Sequence, residues 1–190
     1  MRIIGGRLRG LGLTPVGKGD AAAHLRPTSD RVRENLFNLL EGGRFGDPIR
    51  DAEVLDLFAG TGALGLEALS RGAAHITFVE NGRAGARLLS SNIAKAQTEA
   101  ETRILRRDAT RLGSNDRASA SLVFLDPPYG KGLGAAALTS ARIGGWIAEG
   151  ALIVWEENAE AAPPEGFEKL DARRYGDTWL TFLRHGRQGE

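Results

Sequence analysis

Val54-Leu55-Asp56-Leu57-Phe58-Ala59-Gly60-Thr61-Gly62-Ala63-Leu64-Gly65 decides the fold. An apolar run that enters a glycine-rich turn and continues into a helix-forming segment is the strand–turn–helix unit of a doubly wound α/β sheet. Outward from it the alternation continues. Strands are expected at residues 54–58, 76–79, 102–105, 122–125 and 151–155. Helices are expected at 63–71, stopped by Gly72, then around Ala86, Leu89, Ile93 and Ala96, and at 138–147. Residues 167–175 and 179–183, separated by Gly176-Asp177, read as a closing antiparallel hairpin. Strands alternating with helices predict a mostly parallel, doubly wound sheet.

Upstream of this body, Ile3-Ile4 and Leu11-Gly12-Leu13 flank a glycine-rich turn and suggest a small β-hairpin arm over residues 1–26. Residues 17–23 are small and polar, a loop. Pro27-Thr28-Ser29-Asp30 offers several caps for a helix whose apolar stripe is Val32, Leu36, Leu39 and Leu40, ending near Gly42-Gly43. The expected organisation is therefore an arm, 1–26, and a catalytic domain, 27–190.

Gly60 to Gly65 satisfies G-x-G-x-x-G, and Glu80 lies 20 residues beyond Gly60, which is also the spacing of a dinucleotide site. Charge separates the two readings. A pyrophosphate wants backbone amides and a helix N-terminus, and the Asp56 carboxylate just before the turn would oppose it. S-adenosylmethionine carries a sulfonium and an ammonium instead, which an acid beside the turn suits. Glu80, ending the second strand, can accept both ribose hydroxyls in either ligand. Asp108, after the third apolar run, is placed to accept from an adenine amino group. Ala59, Asn81 and Ala109 complete the expected cofactor-binding set with Asp56, Gly60, Thr61, Gly62, Glu80 and Asp108.

A second strand end carries Asp126-Pro127-Pro128-Tyr129. An exocyclic amino group is a poor nucleophile because its lone pair is delocalised into the ring. The Asp126 carboxylate and the Pro127 carbonyl can each accept one amino hydrogen and localise that pair. The Pro127-Pro128 backbone holds those acceptors in fixed directions, and Tyr129 can stack on the base. These four residues are the expected catalytic set. Together with the glycine turn they imply one crevice for a methyl donor and a nucleobase amine.

Composition limits the alternatives. The chain has no cysteine, so disulfides, thiolate nucleophiles and zinc-thiolate sites are excluded. His24, His75 and His185 show no ligand spacing, and no metal is expected. No apolar run approaches a membrane span, and the N-terminus does not read as a signal peptide; a cytoplasmic protein without a membrane partner is expected. The net charge of +1 is unevenly spread: residues 1–35 carry +4 and the remainder −3. A basic arm on a mildly acidic body is what phosphate docking at one edge requires, with Arg2, Arg7, Arg9 and Arg26 as candidate RNA contacts.

The motifs at Asp56–Gly62 and Asp126–Tyr129 resemble those of class I S-adenosylmethionine-dependent methyltransferases. The arm makes the match narrower. Met1-Arg2-Ile3-Ile4-Gly5-Gly6 and Leu25-Arg26-Pro27-Thr28-Ser29-Asp30-Arg31-Val32-Arg33-Glu34-Asn35-Leu36-Phe37-Asn38 are similar to the bacterial small-subunit ribosomal RNA guanine-N2 methyltransferase family of the RsmD type, as is Val54 to Ala73 residue after residue. The resemblance implies a Rossmann-like methyltransferase fold and methylation of the 2-amino group of one guanosine in 16S ribosomal RNA, within an assembled or assembling 30S particle, by a monomer. It also implies that residues 27–38 cover the cofactor, with Thr28 and Arg31 near its amino-acid end. Two alternatives differ in kind: an adenine amino-methyltransferase, because this tetrad serves both purines, and a non-catalytic ribosome-assembly factor of the same fold.

Overall fold

The computed structural model describes residues 1–14 and 29–186. Their elements run α1 (Asp30–Glu41), β1 (Glu53–Leu57), α2 (Ala63–Ser70), β2 (His75–Val79), α3 (Arg83–Ala96), β3 (Thr102–Leu105), β4 (Ala120–Leu125), α4 (Leu133–Ile143), β5 (Ile147–Glu157), β6 (Phe167–Tyr175) and β7 (Thr178–His185). They form one seven-stranded sheet of order β3-β2-β1-β4-β5-β7-β6. β1 to β5 are parallel, while β7 runs antiparallel to both β5 and β6. The chain winds from β1 to one side through β2 and β3, then returns to place β4 on β1's other edge. The strand order reverses there, and such a switch point opens a crevice at the carboxyl ends of the strands.

Strand periodicity sorts the side chains into two layers. Val54, Ile76, Phe78, Leu122, Phe124 and Val154 face the helices α1 to α3. Leu55, Leu57, Val79, Val123, Leu125 and Ile153 face α4 and the segment around Leu112. The third glycine of the turn motif serves this packing. A Cβ on Gly65 would lie 2.4 Å from Phe78 Cε1 and 2.8 Å from Ile76 Cγ2, so only glycine lets α2 settle on β2.

One expected element is displaced. The helix expected at 138–147 is α4, Leu133–Ile143, and the chain turns at Gly144 and Gly145 before Ile147 opens β5. Gly145 has φ +73°, which ends the helix. Apolar spacing continues across that break, so periodicity alone runs helix into strand. In α1 the buried face is Arg33, Leu36, Phe37 and Leu40, with Val32 and Leu39 packed at its edge. Ser29 is the cap, its hydroxyl accepting from Val32 N at 3.2 Å.

The hairpin of the arm is minimal: one antiparallel bridge between Arg2 and Gly12, with Ile3 N donating to Leu11 O at 3.0 Å. It is held down by buried polar groups. Glu67, fully buried in α2, accepts from Ile4 N and Gly5 N, each at 2.8 Å, and from Arg71 Nε at 2.8 Å. Arg33, also fully buried, lies 3.6 Å from the same carboxylate and donates to Arg2 O. Ser70 Oγ accepts from Leu8 N at 2.9 Å. Ile3 and Leu13 thereby join the core shared by α1 to α3. The expected boundary at residue 26 and the 17–23 loop lie outside the described residues.

Removing the carboxylate would strand three donors and a buried cation. Glu67→Ala should lose about 3–5 kcal/mol of stability, the usual cost of breaking a buried charge pair from one side. Chemical denaturation checks this; a loss below about 1 kcal/mol would mean that Glu67 does not anchor the arm.

Candidate active site at the β1–β4 crevice

β1 and β4 pair in parallel, with Leu57 opposite Leu125, so the glycine turn and the Asp126 tetrad leave the sheet side by side. Asp126 N donates to Leu57 O at 3.3 Å, which joins the two motifs directly. Pro127 is buried, and Asp126, Pro128 and Tyr129 are half-buried. The two expected sites therefore stand side by side at neighbouring strand ends.

The turn after β1 is sharply bent. Phe58 has φ +60°, Gly60 +55° and Gly62 +78°. The left-handed region costs glycine little, but it strains phenylalanine. Such strain persists only where surrounding bonds over-determine it: Ala59 N donates to Val79 O at 3.0 Å and Gly62 N to Ala59 O at 2.7 Å. Neither pattern nor spacing marks Phe58 in the sequence.

Two carboxylates brace this turn. Asp56 is 2% exposed, and its Oδ2 accepts from Gly65 N, in the first turn of α2, at 3.0 Å. Burial pushes its pKa up to about 7, the nearby Glu80 charge pushes the same way, and the Gly65 bond opposes them. Glu80 accepts from Gly60 N at 2.8 Å through Oε2 and from Gly82 N at 2.6 Å through Oε1. A carboxylate oxygen has a second acceptor direction, so these bonds leave capacity for hydroxyl donors. Asn81, which follows Glu80, is exposed.

Asp108 stands three residues after β3, exposed, and caps the short turn Ala109–Arg111. Its Oδ1 accepts from Thr110 Oγ1 at 2.7 Å and Thr110 N at 2.9 Å, and these bonds hold its pKa below the usual value. Ala109 is buried in the second core layer. Asp56, Glu80 and Asp108 thus follow one another along neighbouring strands β1, β2 and β3.

On the other side of the crevice the Tyr129 hydroxyl donates to Glu156 Oε1 at 2.9 Å. Glu156 is buried near the end of β5. Burial, then the Glu156 charge, pushes the Tyr129 phenol up, so it stays neutral. Glu156 was not among the expected site residues. Its signal is a carboxylate ending the apolar run Leu152-Ile153-Val154-Trp155.

The expected RNA contacts separate. Arg7 is bound to Glu101 at 2.6 Å and is half-exposed. Arg2 and Arg9 line a cleft of about 570 Å³ between the arm and α1, together with Asp30, Arg31 and Glu34. Arg31 thus stands with the arm's cations in a cleft whose lining includes no glycine-turn residue. Thr28 and Arg26 lie outside the described residues. Among the described residues no group of three His, Asp or Glu could hold a metal ion, and no helix is long and apolar enough to cross a membrane.

The family model for conserved hypothetical protein 95 matches residues 1–184. The chain belongs to this family. It is 42% identical over 164 residues to ribosomal RNA small subunit methyltransferase D of Escherichia coli K12, covering 86% of this chain and 78% of that protein. The Haemophilus influenzae protein of the same name is 34% identical, covering 93% of this chain and 89% of its own. The solved structure of yhhF from Escherichia coli superposes with a TM-score of 0.80 at 37% identity, covering 99% of each chain. The family is thus the RsmD type, and the fold is the Rossmann-like one of class I methyltransferases.

The Asp56 pKa makes a signed prediction. A carboxyl raised in the fold stays protonated when the unfolded chain has already released its proton. Its contribution to stability is therefore neutral below about pH 4 and falls between pH 4 and 7. Asp56→Asn keeps an acceptor for Gly65 N and removes that penalty. The variant should gain stability relative to the unaltered chain from pH 5 to pH 8, by a few kcal/mol at most. Denaturation at both pH values checks this; parallel curves would show that Asp56 is ionised throughout.

Proposed function

We propose that this chain is an S-adenosylmethionine-dependent enzyme that methylates the exocyclic 2-amino group of a guanosine in 16S ribosomal RNA. The observation that carries this is the pairing of β1 with β4, which sets the glycine turn beside the Asp126 tetrad. The names of the relatives supply the RNA; the choice of guanine rests on the resemblance of the arm. A particle-bound 30S substrate, a monomeric state and action in the cytoplasm belong to the same reading.

The turn's chemistry fits the cofactor. A buried acid near pKa 7 answers a cation, Glu80 can accept ribose hydroxyls, and Asp108 retains an acceptor for an adenine amine. When bound, the cofactor supplies an electrophilic methyl on sulfur. The chain's residues then do the positioning. Asp126 and the Pro127 carbonyl draw the two amino hydrogens out of the ring plane, so that the nitrogen pair attacks in line. Tyr129, its hydroxyl anchored on Glu156, holds the base by stacking. Asp126 takes the proton released from nitrogen. The base must leave its stack, or already be unpaired, to reach that carboxylate.

Asp126→Ala should lower methyl transfer by about 10²-fold or more while cofactor affinity stays within about threefold. Calorimetry and single-turnover assays on small subunits check this; lost affinity with intact turnover would reverse the roles of the two strand ends. Mass mapping of ribosomal RNA from a strain lacking the protein tests the reading as a whole. An unchanged methylation pattern, with RNA binding retained, would favour an assembly factor instead.

The arm makes a separate expectation. Arg9→Glu should weaken RNA binding and flatten its salt dependence by about one unit of slope for each phosphate no longer neutralised. Arg7→Glu should do less, because Arg7 is committed to Glu101. Equal salt slopes for the Arg9 variant and the unaltered chain would remove the arm from the RNA interface.

A further inference from the structure

Asn92 lies on the apolar face of α3, between Leu89 and Ile93, and is fully buried. Its Oδ1 accepts from Thr14 N, at the far end of the arm's hairpin, at 2.7 Å. Its Nδ2 donates to Thr61 O, inside the glycine turn, at 2.9 Å. One amide group thus spans the arm and the turn. The arm touches the same turn a second time, where Thr61 Oγ1 approaches Met1 Sδ at 4.0 Å.

Two further anchors of the arm point the same way. Glu67 and Ser70 hold the amides of Ile4, Gly5 and Leu8, and both belong to α2, the helix that begins at Ala63 directly after the turn. The described arm is therefore tied to the cofactor-turn side of the crevice. A buried amide tolerates no loose end: moving Thr14 or Thr61 without the other would leave Asn92 with an unmet donor or acceptor, which is costly away from water. The turn's third peptide and the end of the hairpin must keep register.

We propose that Asn92 is a positioning residue that couples cofactor binding at the turn to RNA binding at the arm, so that each ligand tightens the other. The inference rests on the methyltransferase reading above. Linkage makes the coupling reciprocal: fixing Thr61 against a ligand fixes Asn92, hence Thr14 and the hairpin, and RNA on the arm does the reverse. Such an enzyme engages its RNA best when the methyl donor is already in place.

The test measures binding of the full chain to small ribosomal subunits from a strain lacking this protein, with and without saturating S-adenosylhomocysteine. In the unaltered protein the ligand should tighten binding by about fivefold or more, the lower end of usual coupling factors. Asn92→Ala should bring that factor to within about twofold of one. Thr14→Pro, which removes the amide that donates to Asn92 and leaves the helix interior intact, should do the same and serves where the Asn92 variant fails to fold. Lys95→Met, which cuts the exposed bond from Lys95 Nζ to Thr14 Oγ1, should leave the factor unchanged. A merely structural asparagine would lower stability or one affinity and keep the factor, and that result in both variants would overturn the relay. A factor of one in the unaltered protein, with both ligands bound, would overturn it as well. Failure to bind S-adenosylhomocysteine at all would instead overturn the methyltransferase reading and this inference with it.

Discussion

Parallel pairing of β1 with β4 is the constraint on which the site depends. The two strands are separated in sequence by two other strands, two helices and the arginine-rich stretch before Ala120, yet Leu57 and Leu125 stand opposite one another. Nothing local to either motif enforces this. It follows from the winding of the chain, which sends β2 and β3 to one edge of β1 and leaves the other edge for β4. The core makes the pairing firm, because Leu55, Leu57, Val123 and Leu125 face one layer while Val54, Leu122 and Phe124 face the other. A slip of one residue would turn every one of these side chains to the wrong layer.

Around that pairing the molecule uses buried polar groups as braces. Asp56 ties the strand to the first turn of α2, Glu80 closes the glycine turn from β2, and Glu67 and Asn92 fasten the arm. Each brace has backbone amides or carbonyls as partners. Proline aside, a backbone partner survives a change in its own side chain, so the turn and the arm are set by main chain against these four side chains. The left-handed Phe58 is tolerated within this frame, where the following Ala59 amide is taken by Val79 O.

The strands and most helices were legible because their signals are local. The glycine turn, the alternation of apolar runs and the Gly176-Asp177 turn each depend on a few neighbouring residues. The extent of α4 was not, since the residues after Ile143 continue its apolar character into β5 and only a positive-φ glycine marks the change. The bracing residues were hidden for another reason. Glu67 sits inside Leu64-Gly65-Leu66 and Ala68-Leu69, Arg33 sits three residues before Leu36, and Asn92 sits beside Ile93. Each is a polar residue on an apolar face, visible in the sequence as an irregularity, but its partner is 31, 63 or 78 positions away. Arg7 shows the converse. It reads as a free cation in a basic arm, and Glu101 takes it from a segment 94 residues away.

The braces also bear on how a cationic ligand is received. Asp56 is held near neutrality by burial, with a single amide donor opposing that effect. A positive charge brought into the crevice adds a favourable term for the ionised form, so binding and loss of the Asp56 proton favour each other. Near pH 7 the buried carboxyl therefore stands close to the balance between its two forms. A cation beside it would shift that balance toward the charged form. A dinucleotide would do the opposite, since its pyrophosphate would drive the same carboxyl further toward its neutral form and gain nothing from it. On the proposed reading, the electrostatics of one buried aspartate thus favour the cationic ligand of two that the glycine spacing alone leaves equal.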